Sequence, residues 1–421
     1  MRSSLLAFAT DLLDEGLETV AENVQHRAGA DGVTLAAAYH DARDVFPHNP
    51  HRVIYFQEPG AVFFQPSPSR FRSLELQPIV SAVIGERDLV SELTEVARRR
   101  DMDANAWVVL LHVDRGREIE PYAQRNAFGD LYPTQLCPSN PDVRAYASAL
   151  IADVASRGVD SILMESFHFV PFPHGYHHER AFVEISPLSS FLLSLCFCTS
   201  CVAAGARHGV EMSSLQDAVA STIRRGLSSD HADAASIDDP PSVRALLGGQ
   251  LGEFLDARTA VVTSLVSELV DAARHANSDA VLVPVDEGGA IKGYVGGQPT
   301  GVPASSMSWQ LGVDLPQVAA AAGALEVLAY ASTAERVRFD LEAYARAIPD
   351  SSRLGVILRP VRPDCESLAN LRTKVGVASD LGAARLDFYH YGLAPLDTLD
   401  WIKSALSADA AANAPAGRSE G

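Results

Sequence analysis

The segment Asp160–Cys201 reads DSILMESFHFVPFPHGYHHERAFVEISPLSSFLLSLCFCTSC and concentrates residues able to do chemistry. A short apolar run, Ser161–Met164, delivers a carboxylate, Glu165. A parallel barrel keeps its catalytic groups at such a strand end. An aromatic and histidine-rich stretch follows, with Pro173-His174-Gly175-Tyr176-His177-His178-Glu179 at its centre. Then come Cys196, Cys198 and Cys201, a Cys-x-Cys-x-x-Cys cluster of the kind that holds a metal. Three thiolates leave tetrahedral zinc one ligand short. Cys137 is the best candidate by position, with Cys365, His177 and His178 as rivals.

Glu165 lies between Met164 and Phe167, apolar neighbours that raise a carboxyl's proton affinity and suit a general acid. Hydrolysis of a glycosidic bond needs a second, ionised carboxylate. Asp286 or Glu287, in PVDEGG, supplies it from the neighbouring strand, about 5 Å away in the hydrogen-bonding direction. The two glycines behind this pair allow a ligand close to the backbone. His40, His112, His168, Arg359, Asp387 and His390 stand at or just past other strand ends and suit binding of sugar hydroxyls or a carboxylate substituent. Trp309, in SSMSWQ, is a candidate stacking platform for a sugar ring.

The elements that must position these groups follow a strand–helix rhythm. Apolar runs occur at Leu5–Thr10, Gly32–Tyr39, Trp107–Val113, Ser161–Met164, Ala280–Val285, Leu325–Tyr330, Leu354–Leu358 and Ala384–Tyr389. Near-continuous apolar runs mark strands covered on both faces. Helically spaced segments separate them, ending with one from about Pro395 to Ala408. Eight such units predict an α/β fold, a (β/α)8 barrel over residues 1–408, with a disordered tail at 409–421. Two long insertions, 42–86 after strand 2 and 170–250 after strand 4, leave the catalytic face. The first contains a hairpin around Glu58-Pro59-Gly60; the second is helical and carries the cysteines. Such loops shape a substrate site or form a contact between copies in a homo-oligomer.

Composition narrows the function class. The chain has 421 residues, 47% hydrophobic, and a formal net charge of −19. Its longest basic run is Arg98-Arg99-Arg100, so a nucleic-acid partner is not expected. No apolar stretch is long enough for a membrane span. The N-terminal MRSSLLAFATDLLDEG has acids at Asp11, Asp14 and Glu15 where a secretion signal has its apolar core, which predicts a cytoplasmic protein. Clustered cysteines in a reducing compartment favour metal over disulfides. No phosphate loop, dinucleotide fingerprint or nucleophile elbow is present.

Three motifs together resemble a known family. Cys137-Pro138-Ser139-Asn140-Pro141-Asp142-Val143-Arg144-Ala145-Tyr146, the strand-end Glu165, and Cys196-Phe197-Cys198-Thr199-Ser200-Cys201 are similar to the barrel domain of family 42 β-galactosidases over roughly residues 126–205. The resemblance implies a structural zinc on Cys137, Cys196, Cys198 and Cys201, and the acid/base position for Glu165. Two departures stand out. Met164 occupies the place of the family's Asn before the acid/base, and strand 7 ends at Arg359 with no Glu before Glu366. The expectation is an uncharacterised branch of glycoside-hydrolase-like barrels, a hydrolase acting on a small glycoside or oligosaccharide. A sugar isomerase, epimerase or lyase, or a non-catalytic carbohydrate-binding barrel, are the alternatives on the same scaffold.

Overall fold

In the computed structural model the predicted barrel is present. The structure describes residues 1–174, 180–228, 237, 240–291, 301–348, 350 and 353–412. Eight parallel strands close on themselves: β1 (Arg2–Ala7), β2 (Gly32–Tyr39), β3 (Asp103–Val109), β4 (Ser161–Glu165), β5 (Val281–Asp286), β6 (Leu325–Leu328), β7 (Leu354–Leu358) and β8 (Arg385–Phe388). Each pairs with its neighbour in sequence, and β8 pairs with β1 to close the ring. Outside them lie α1 (Leu17–Glu22), α2 (Leu89–Arg100), α3 (Pro141–Ala155), α4 (Gln250–Ala276), α5 (Leu315–Ala322), α6 (Ala334–Ala347), α7 (Leu368–Asp380) and α8 (Thr398–Ala412). Among the described residues no helix is long and apolar enough to cross a membrane.

Several boundaries differ from the sequence reading. Strand β1 ends at Ala7, and Asp11 falls in a short helix, Ala9–Asp14. Strand β3 starts four residues earlier than its apolar run, so His112 lies in the loop beyond it. Helix α8 continues to Ala412, past the expected start of the tail; residues beyond it lie outside those described. The hairpin of the first insertion pairs Ala42–Val45 with Ile54–Gln57, so its turn falls at 46–53, a segment with two prolines and an asparagine. Glu58-Pro59-Gly60 does different work. Gly60, at φ 59°, lets the chain pass under Val113, where a Cβ would lie 2.7 Å from the carbonyl oxygen, and Ala61–Val62 then pairs antiparallel with the end of β2.

The motif around Cys137 has a mechanical explanation. Asn140 caps α3 by accepting from the N–H groups of Asp142 and Val143, with Pro141 in the first turn. Arg144 then reaches across to α4, bonding the Val261 carbonyl and forming a bidentate pair with Glu268. Tyr146 is buried beneath. Cap, arginine and tyrosine thus hold the start of α3, and with it Cys137, against the longest helix of the barrel.

The lower, N-terminal half of the barrel is filled by a polar network. Arg385 donates to Asp387 (2.8 Å), Ser161 (2.6 Å) and Thr34 (3.0 Å), and lies 3.9 Å from Glu326. Both carboxylates are fully buried. Asp387 therefore serves as a counter-charge inside the barrel and not as the substrate ligand expected from its place in β8. Breaking a buried ion pair by removing one partner leaves an uncompensated charge. Arg385→Met is expected to cost about 3–5 kcal/mol of unfolding free energy in urea titrations. A loss within experimental error would show that this network does not hold the barrel together.

Candidate functional site

The upper, C-terminal ends of β4 and β5 bring two carboxylates together. Glu165 is the last residue of β4, and Glu287 follows β5 directly. Trp107, projecting inward from β3, donates its indole N–H to Glu165 Oε2 at 2.8 Å. Beyond Glu165 the chain turns through Ser166 at φ 53°, a left-handed conformation uncommon outside glycine. That turn aims the Ser166 N–H (2.5 Å) and hydroxyl (3.0 Å) at Glu287 Oε1. His168, whose Nδ1 donates to the Phe169 carbonyl, presents Nε2 to the same oxygen at 3.5 Å.

These contacts split the ionisation of the pair. Burial and the neighbouring charge of Glu287 push Glu165 up to about 8, against the Trp107 hydrogen bond. Burial also opposes charge on Glu287, but His168, His174 and the Ser166 N–H outweigh it and bring Glu287 down to about 2. In return Glu287 overcomes the cost of burying a charged His168 and raises its pKa. At neutral pH one carboxyl holds a proton and its neighbour is a carboxylate, the assignment that acid–base chemistry requires.

Asp286 faces the other way. It accepts from Ser308 (2.9 Å), from the Tyr344 hydroxyl on α6, and from the Gly288 N–H (3.2 Å). Period-two alternation along β5 puts it among the helices, where it anchors the next loop; Glu287 alone of the two faces Glu165.

The other expected ligands divide in the same manner. His40 is partly exposed at the mouth, stacked on Tyr39 (4.3 Å) and on His112 (4.5 Å). Burial, with help from His112, lowers its pKa to about 3, so it is neutral. Arg359 ends β7, paired with Asp364 at 2.9 Å and lying over the Tyr330 and Tyr389 rings at 4.1 and 5.4 Å. It faces the mouth. His168 and His390 are buried and do not reach it: His168 serves Glu287, and His390 packs 4.0 Å from the Phe8 ring and accepts from the Gly392 N–H. Burial holds His390 well below its usual pKa. Trp309, in a short 3-10 helix after β5 (Ala304–Leu311), is half-buried and packs 5.0 Å from Phe191 of the second insertion with its indole nitrogen covered. A cavity of about 380 Å³, lined in part by Gln135, Pro171, Phe172 and His174, adjoins the mouth. His177 and His178 lie outside the described residues.

Sequence reading missed Trp107, Tyr39 and Tyr389, which wall the site: Tyr39 lies 4.8 Å and Tyr389 5.9 Å edge-on to Trp107. Trp107 and Tyr39 sit within runs that read as plain apolar strands. Alternation would have sorted inward from outward positions only with the register known.

The four cysteines do come together. Cys137 Sγ lies 3.5 Å from Cys201 and Cys198 and 3.9 Å from Cys196. Tetrahedral zinc with Zn–S near 2.3 Å requires S···S separations of about 3.8 Å. Cys365 is elsewhere, its thiol on the Ser367 carbonyl. The Arg125 N–H points at Cys196 Sγ. Burial pushes the Cys137 and Cys201 thiols well up, a penalty that metal binding removes by displacing protons. Arg258, 2% exposed, has Nε and Nη1 without a hydrogen-bond partner among the described residues; it feels the negative charge of Cys201, Cys196 and Cys137. A buried guanidinium beside four sulfurs fits a site that carries net negative charge, as four thiolates on one divalent ion do.

No protein-family model matches the chain. No curated protein matches it significantly either. Solved structures do. A β-galactosidase from the psychrophilic Marinomonas ef1 superposes with a TM-score of 0.56 at 10% identity, over 98% of this chain and 60% of that one. The catalytic domain of a β-amylase from Paenibacillus polymyxa gives 0.53 at 10% identity, over 97% and 98%. A β-galactosidase from the haloarchaeon Halorubrum lacusprofundi gives 0.51 at 12%, over 96% and 58%. The likeness is one of fold. These neighbours are glycoside hydrolase barrels, and the chain spans under two thirds of the two galactosidases.

Trp107→Phe keeps the ring and removes the hydrogen bond that favours the Glu165 anion. The Glu165 pKa is expected to rise further, by about 1–2 units for a hydrogen bond to a charged group. Carboxyl-carbon NMR titration of wild type and variant checks it; an unchanged or lowered pKa would contradict the geometry.

Proposed function

We propose that the chain is a glycoside hydrolase acting on a small glycoside or oligosaccharide, on an uncharacterised branch of barrels related to family 42 β-galactosidases. One observation carries this reading: adjacent strands present a protonated Glu165 and an ionised Glu287 at the mouth. The glycoside hydrolase folds of the structural neighbours and the sequence motifs around Cys137 and Cys196 support it.

In this mechanism Glu165 gives its proton to the departing glycosidic oxygen. Trp107 holds the carboxyl and is ready to stabilise the anion that forms. Glu287 acts on the anomeric side, as base toward water or as nucleophile. Ser166 and His168 converge on one of its oxygens, which keeps it charged and leaves the other for the reaction. His40 and Arg359, with the Tyr330 and Tyr389 rings, bind the sugar. The strand-7 carboxylate of the related enzymes is absent, and Glu287 takes its role from β5. Zinc on Cys137, Cys196, Cys198 and Cys201 has four protein ligands and no open position, so its part is structural.

Hydrolysis of a panel of aryl glycosides tests the reading. Wild type should turn over at least one, and Glu165→Gln should lose about 10²–10⁴-fold in kcat/KM. Equal inertness of both across the panel, with sugar binding retained, would mean a binding barrel instead. The general acid works only while protonated, so activity should decline as pH rises through about 8. Glu287 works only while ionised, and stays so down to about 2.

Metal analysis of the purified protein should find about one zinc per chain in the thiolate site. Cys198→Ser, or a strong chelator, should lower the Tm. A Tm indifferent to both would exclude a stabilising metal.

A further inference from the structure

The hydrolytic reading gives His40 only a sugar contact and leaves the ligating groups beside it, His112 and Asp114, unassigned. His40 follows β2, and His112 and Asp114 follow β3, the adjacent strand. Three residues past β3, at His112, the chain bridges to Gln135, and Asp114 then takes a left-handed turn at φ 49°. This brings the groups into register. The His40 and His112 rings stack 4.5 Å apart with their planes 9° from parallel. His112 Nε2 is 3.1 Å from Asp114 Oδ1, and His40 Nδ1 is 3.9 Å from Asp114 Oδ2. One donor atom from each of the three lies within 4.8 Å of the other two.

Two further observations point to a ligand. His112 is 3% exposed, and its Nδ1 is buried without a hydrogen-bond partner among the described residues. A third imidazole, His174, lies edge-on to it at 5.1 Å between ring centres. An ordinary packing role does not call for three imidazoles around one carboxylate. The surroundings are also arranged as they are around metal-bound histidine. His40 Nδ1 is 2.6 Å from the Asp41 carbonyl, which can only accept, so the proton sits on Nδ1 and the Nε2 lone pair is free. The Asp41 N–H in turn holds Asp114 Oδ2 at 3.0 Å.

We infer that His40, His112 and Asp114 form a second metal site at the barrel mouth, separate from the four cysteines, with His174 packed against it. Imidazole with carboxylate suits divalent first-row transition ions such as Zn²⁺, Mn²⁺, Fe²⁺ or Co²⁺ over Mg²⁺ or Ca²⁺. Contacts of about 2.0–2.2 Å need donor atoms about 3–3.5 Å apart and the ion in the plane of each ring, so the stacked His40 and His112 rings turn as they close on it. Three protein donors leave coordination positions open toward the mouth. If the mouth is the sugar site proposed above, those positions take hydroxyl or carboxylate oxygens of the substrate. The metal site itself does not depend on that reading.

Cobalt distinguishes the two centres. Thiolate-bound Co²⁺ absorbs strongly in the near ultraviolet by charge transfer; a histidine–carboxylate site contributes only weak visible bands. Full-length protein equilibrated with Co²⁺ and then freed of excess should hold about two ions per chain, one in each type of site. The double variant His112→Ala/Asp114→Ala should hold one fewer and keep the charge-transfer band unchanged. His40→Ala, at a partly exposed position that folding tolerates, should weaken the second ion's binding at least tenfold and also spare the band. Wild type binding no ion outside the thiolate site overturns the proposal, as does retention of the second ion by the double variant. The difference between wild type and variant reads the second site whether or not the cysteines bind metal or the enzyme hydrolyses glycosides.

Discussion

Two carboxylates held side by side and away from water do not both carry charge, because each makes the other's ionisation more costly than burial alone does. The barrel mouth is arranged around that constraint. Glu287 wins the charge since the Ser166 N–H, the Ser166 hydroxyl and His168 all converge on its Oε1. Glu165 keeps the proton since it has one indole N–H for company. The outcome depends on backbone as much as on side chains. The parallel register of β4 with β5 puts Glu165 level with Val285, on the same face as Glu287 two residues on, and the left-handed turn at Ser166 makes the residue after Glu165 a hydrogen-bond donor to Glu287. Hydrogen bonds placed on one oxygen of one carboxylate thereby decide the protonation of the other.

The two ends of the barrel treat buried charge in opposite ways. At the lower end Arg385 is enclosed by Asp387, Glu326 and the hydroxyls of Ser161 and Thr34, a charge-paired cluster within the barrel. Glu326 Oε1 and Oε2 and Asp387 Oδ1 have no hydrogen-bond partner among the described residues, so the arginine's charge is what balances them. At the upper end Arg359 lies across two tyrosine rings, two imidazoles stack at the rim, and Glu165 holds a proton it can release. Charge paired inside the barrel serves stability, and charge at the rim is available to chemistry. This is the physical content of the general division between the stabilising and catalytic faces of such barrels.

The contrast also explains what the sequence revealed and what it concealed. Strands buried on both faces write themselves as apolar runs, so seven of the eight barrel strands were placed within a few residues; the run read for β1 slid toward Asp11 and overlapped only its last three residues. Glu165 stood out as a candidate because it closes such a run between apolar neighbours, a place where a structural carboxylate is the competing explanation. Side-chain direction was not legible. Asp286 and Glu287 are adjacent and chemically alike, yet one faces Tyr344 on a helix and the other faces Glu165. Asp387 sits on a barrel strand one residue short of its end, on the same face as Arg385 two residues before it, which it pairs with. A shift of one residue in register exchanges inward for outward positions. Composition and spacing do not carry that information. Trp107 was hidden for a related reason: an inward aromatic and a core aromatic look the same in a linear string.

The cysteine cluster connects these local facts to the loops. Cys137 follows the excursion after β3, and Cys196, Cys198 and Cys201 follow the segment after β4, so the thiols join the two chains that leave the mouth beside Glu165. Cys137 and Cys196 are 59 residues apart in sequence. Closing a flexible loop of that size costs about 3–4 kcal/mol in chain entropy. Structural zinc on thiolates binds with about 10–16 kcal/mol, enough to offset that closure and to fix the loops as well. The loop that ends in Cys137 begins with His112 and Asp114, and the one that ends in Cys196 begins with Ser166, His168 and His174. A metal at the thiols would hold, at a distance, the backbone from which the groups around both carboxylates project. Arg258, buried near the cluster over the Phe169 ring with two nitrogens unmatched among the described residues, is a positive charge that negative thiolates would partly offset.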